Sequence, residues 1–72
     1  MNSNRALVIA NQTAEGINVI DIDIYNGSGR KFERPSKRFI DEINALPMLD
    51  RDRIKSVIAR QYGVPFENIE FE

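Results

Sequence analysis

The sequence predicts an α+β domain of order β-β-α-α-β: a three-stranded, mostly antiparallel sheet with two helices packed on one face. Three observations predict it. Residues 17–25 alternate apolar and polar side chains with the period of two that a half-buried strand requires. Phe39, Ile40, Ile43 and Leu46, and then Ile54, Val57, Ile58 and Tyr62, recur at helical spacing. The final stretch, 68–72, alternates again and reads as a last strand.

Each element follows from its local chemistry. Residues 6–10 form a short apolar run rich in branched side chains, and the polar stretch from Asn11 to Gly16 reads as a turn. That turn lacks an Asn-Gly pair, so a tight two-residue connection is not expected. In the strand that follows, Ile20, Ile22 and Ile24 point one way, and Val19, Asp21, Asp23 and Tyr25 the other. Asn26-Gly27-Ser28-Gly29 breaks the chain. Pro35 and Ser36 open a helix over 35–46 that Pro47 ends. Asp50 caps a second helix, and Gly63 closes it in a left-handed conformation after Tyr62. Two amphipathic helices need an apolar sheet face, and Ile20, Ile22, Ile24, Ile69 and Phe71 supply it. Val19, Asp21, Asp23, Tyr25 and Glu70 are then left on an exposed, acidic face.

Composition narrows the function. Seventy-two residues make one domain, 1–72, with 1–4 expected to be flexible. A chain this short buries only roughly 60% of its unfolded surface, so a partner subunit is a natural staple. Cysteine and histidine are both absent, which removes disulfides, thiolate chemistry, the commonest zinc ligands and the usual neutral-pH base. No cofactor and no metal are expected. The net charge of -1 argues against a protein-wide field for nucleic acid. No apolar run approaches the roughly 20 residues that span a bilayer, and residues 6–10 are too few for a signal-peptide core. A cytoplasmic protein without membrane contact is the expectation.

The charge pattern offers two candidate surfaces. Arg30, Lys31, Arg34, Lys37 and Arg38 oppose a single acid, Glu33, for a local charge of 5 - 1 = +4. They follow two glycines and lead into a helix, an arrangement able to present N–H groups and cations to an anion. Neither phosphate-loop spacing is present, so the segment also reads as a solvated loop balanced by nearby acids. The second surface is the acidic sheet face. Asp21 and Asp23 with Glu70 and Glu72 are paired carboxylates of the kind that can hold divalent cations, but a flat face supplies no cleft and no second chemical group.

Two motif-level comparisons fall short of a family. The offsets of Ala59, Gly63 and Ile69 resemble the first helix and turn of a helix-turn-helix, but Glu67, Glu70 and Glu72 would then meet phosphate. The element order resembles part of the type II KH topology, but residues 45–50 between the helices contain no glycine, so the nucleic-acid clamp is missing.

The function expected by elimination is a small, non-enzymatic protein-protein interaction module, such as a regulator or inhibitor of a larger macromolecule. The alternative is a nucleic-acid contact module that uses the basic segment against phosphates, and it is not favoured. Homodimerisation is a further expectation, from small size and the open edges of a three-stranded sheet.

Overall fold

The computed structural model describes residues 3–72, and for Lys31, Phe32 and Glu33 the backbone alone. Strands β1 (Arg5–Thr13) and β2 (Gly16–Tyr25) form an antiparallel hairpin. Thr13 pairs with Gly16, so only Ala14 and Glu15 remain in the turn, tighter than the sequence led us to expect. Thr13 and Gly16 supply what the missing Asn-Gly pair would have supplied. Thr13 Oγ1 donates to the Gly16 carbonyl at 2.8 Å and accepts from the Glu15 N–H at 3.2 Å. Gly16 takes a φ of 129°, which side chains other than glycine's rarely allow.

Midway along the hairpin the register slips. Ile9 pairs with Asp21 and Ala10 with Val19, so Ile20 is an extra residue on β2. Such a bulge sets two residues against one and reverses the alternation on its far side. Val19 is therefore buried, at 2% exposure, while Ile20 is 52% exposed. Two expectations are corrected: Val19 belongs to the core and not to the exposed face, and Ile20 belongs to the surface. Past the bulge, Ile22 and Ile24 are fully buried as expected.

A short edge strand, β3 (Lys31–Glu33), pairs antiparallel with Ile24 and Tyr25. The terminal strand, β4 (Ile69–Phe71), lies parallel to β1, with Ala6 opposite Ile69 and Val8 opposite Phe71. The sheet order is β3-β2-β1-β4. A parallel return needs a long crossover, and the two helices provide it.

Helix α1 (Lys37–Asn44) is shorter than expected at both ends. Ser36 takes the cap position, its side chain accepting from the Phe39 N–H at 3.2 Å, and this leaves Pro35 outside the helix. At the other end the Asn44 amide leaves the helix surface to bond Val19. Its Oδ1 accepts from the Val19 N–H and its Nδ2 donates to the Val19 carbonyl, both at 2.9 Å. Leu46 falls in the following turn. Helix α2 (Arg51–Tyr62) agrees with its sequence signals: Asp50 accepts from the Arg53 N–H at 2.8 Å, and Gly63, at φ 66°, closes the helix with its N–H on the Ala59 carbonyl.

One buried cluster joins Ala6, Val8, Val19, Ile22, Ile24 and Ile69 of the sheet to Ile40 and Ile43 of α1 and Ile54 and Ile58 of α2. Phe71, Phe39 and Tyr62 pack against it half-buried, the last two edge to face at 5.3 Å. Of the lead expected to be flexible, Asn4 is held by Asn68, whose Nδ2 donates to the Asn4 carbonyl at 3.1 Å. Residues 1 and 2 lie outside the described residues. No described helix is long and apolar enough to cross a membrane.

Candidate functional site

The basic segment is less available than its sequence suggests. Arg34 reaches back to Asp21 at 2.6 Å. That hydrogen bond, then the charges of Asp21 and Asp23, hold the Arg34 guanidinium further above its ordinary range. Lys37 pairs with Asp41 at 3.4 Å and Arg38 with Glu42 at 3.3 Å, each one turn along α1. These surface pairs are weak in water, but they offset the cations that an anion would need. The loop before them turns inward as well. Asn26 Oδ1 accepts from the N–H groups of Ser28 and Arg30 and from the Ser28 hydroxyl, and Gly29 N–H bonds the Asn26 carbonyl. Amides that would cradle a phosphate are therefore engaged with the loop's own asparagine. Arg30 is exposed, and the side chain of Lys31 lies outside the described residues.

The second candidate, the sheet face opposite the core, is drier than expected. Asp23 is buried at 9% exposure, and Asp21 and Tyr25 are half-buried. Asp21 binds Arg34 through one carboxylate oxygen, and the other accepts from the Ile22 N–H at 2.9 Å. Glu70 is exposed and lies 4.0 Å from Arg5. Asp23 and Glu70 both flank Leu7, from β2 and β4, which puts them two strand spacings or roughly 10 Å apart. Among the described residues no three acidic side chains gather in a way that could hold a metal ion.

A third surface is one the charge pattern did not single out. The turn 45–50 between the helices carries Met48 at φ 53°, a left-handed conformation that disfavours a side chain, and at 92% exposure. Met48 and Leu46 border two adjoining depressions. One, of about 530 Å³, runs toward the hairpin and is lined also by Ile17 and Leu49. The other, of about 750 Å³, runs along α2 past Arg53, Val57 and Arg60. These three α2 residues, spaced four and three apart, lie in one stripe. Among the described residues neither arginine enters an ion pair. The other cations of α2 lie over rings, Arg51 5.6 Å from the centre of Phe71 and Lys55 5.1 Å from that of Phe66.

This surface left two traces in the sequence. Apolar Met48 and Leu49 occupy an inter-helix turn where glycine or asparagine is the usual choice, and α2 carries Arg51, Arg53, Lys55 and Arg60 against Asp52, a net charge of 4 - 1 = +3. Comparison with protein-family models, with curated proteins and with solved structures finds no match for the chain.

Proposed function

We propose that this chain is a small, non-enzymatic protein-interaction module, a regulator or inhibitor that docks a larger protein through the surface around Met48. The observation that carries the reading is Met48 itself. It is 92% exposed and sits at a φ of 53°. Folding gains nothing from either property: the conformation costs about 1 kcal/mol and the exposed thioether stays in water. An outlier of this kind is a reason to look for a use at the site. Methionine is flexible and polarisable, well suited to an adaptable contact. The depressions on either side set the apolar Leu46 and Met48 among polar and charged side chains, a mixture that docking sites use.

The test is a photo-crosslinking residue at position 48 of the full chain, produced in its native cell, with the same residue at exposed Gln12 as control. A discrete protein adduct formed from position 48 and not from position 12 is expected. Adducts equal at both positions, or only between copies of this chain, would remove the reading. The second outcome would instead favour a homodimer, which sedimentation at micromolar concentration checks independently.

Nucleic-acid contact through the basic segment is the weaker reading, because Arg34, Lys37 and Arg38 already have carboxylate partners. Its signature is binding to mixed DNA or RNA that falls steeply between two salt concentrations. A cytoplasmic location accompanies the proposal.

A further inference from the structure

We infer that the groove along α2 takes an acidic protein segment, with an apolar side chain seated on Leu46, Met48 and Val57 and carboxylates meeting Arg53 and Arg60. This rests on the docking reading above and specifies the partner's chemistry. Arg53 and Arg60 lie seven residues apart, about 10 Å along the helix axis, with Val57 between them. Their stripe is thus an apolar position bracketed by two guanidiniums. Neither is neutralised among the described residues, whereas Arg34, Lys37 and Arg38 are. Planar guanidiniums without partners are suited to two-pronged bonds with carboxylates.

The acids lining the groove decide between two classes of anionic partner. Asp50 and Asp52 border the same depression. The Asp50 carboxylate is turned to the Arg53 N–H at the start of α2, and Asp52 is exposed. A nucleic-acid backbone, charged at every step, would meet these carboxylates along with the arginines. A protein segment can place its few acids at Arg53 and Arg60 only, and can fill the apolar centre that a phosphate chain would leave bare.

The experiment selects short random peptides displayed on phage against the full-length protein, and then measures synthetic copies of the winners. The expected winners combine a large apolar residue with aspartate or glutamate. Their affinity should fall about tenfold or more for Arg53→Glu with Arg60→Glu, and for Met48→Ser, and hold for Arg30→Glu with Arg38→Glu. Arg53→Gln with Arg60→Gln, which removes charge while keeping polar atoms, should give a smaller loss in the same direction. Melting curves of every variant confirm that the fold is intact. Peptides that depend on Met48 but not on the arginines would overturn the acidic assignment and leave the docking reading standing. Selection yielding no Met48-dependent peptide would sink both. Salt-sensitive binding of a mixed-sequence oligonucleotide, abolished by the double reversal at 53 and 60, would overturn the inference in favour of nucleic acid.

Discussion

Among the described residues Val19 has no strand on its outer side, because β3 reaches only Ile24 and Tyr25. Its N–H and carbonyl are both met by the Asn44 side chain, which carries the same donor and acceptor as a peptide group. Further along the edge, the Asp21 carboxylate meets the Ile22 N–H. Two side chains thus do for this part of β2 what a neighbouring backbone would, and they remove a template for unwanted pairing. Asn44→Asp should cost about 1–3 kcal/mol, since a carboxylate would then face the Val19 carbonyl. Urea denaturation reads it, and a loss under about 0.5 kcal/mol would mean that the amide does not hold the edge. Met48→Gly should do the opposite, raising stability by up to about 1 kcal/mol as the left-handed strain is relieved. That variant should be more stable and bind less well, the combination expected where strain serves a contact. Sequence alone gives Asn44 no such role, because a polar residue near a helix end has many uses and its partner lies 25 positions away.

The elements differ in how well their residues announced them. Helix α2 was readable because its signals are local: Asp50 caps within three residues and Gly63 reverses the chain at its end. Gly63→Ala should cost about 1 kcal/mol purely through its φ of 66°, since open space surrounds the position where a side chain would begin. The midpoint of thermal unfolding is a sufficient readout. Strand β2 was half readable. Alternation places Ile22 and Ile24 correctly, but a bulge depends on how two strands are paired, and nothing within residues 17–25 reveals it. The consequence can be measured. Ile22→Ala should cost about 2–5 kcal/mol, and Ile20→Ala within about 0.5 kcal/mol. Equal losses at the two positions would contradict the bulge.

For the molecule as a whole, the candidate surface was less legible than the fold. Summing charge over residues 30–38 picks out the densest basic run in the chain, but it ignores where the acids lie in space. Asp21, Asp41 and Glu42 offset Arg34, Lys37 and Arg38, while the more dispersed cations of α2 include two without such partners among the described residues. The groove itself joins a turn at 45–49 to a helix face at 53–60, and only folding brings them side by side.

The molecule measures 37 × 20 × 19 Å. β4 ends opposite Val8, whereas β1 continues to Thr13, so among the described residues no strand flanks the outer half of the hairpin on the β4 side. Residues 11–15 are all exposed. This arm can open while the isoleucine layer beneath the helices stays shut. In heavy water its amides should exchange early and with little sensitivity to mild urea, well ahead of those at Ile54 and Ile58. A protease should likewise find its first cut near Ala14 and Glu15.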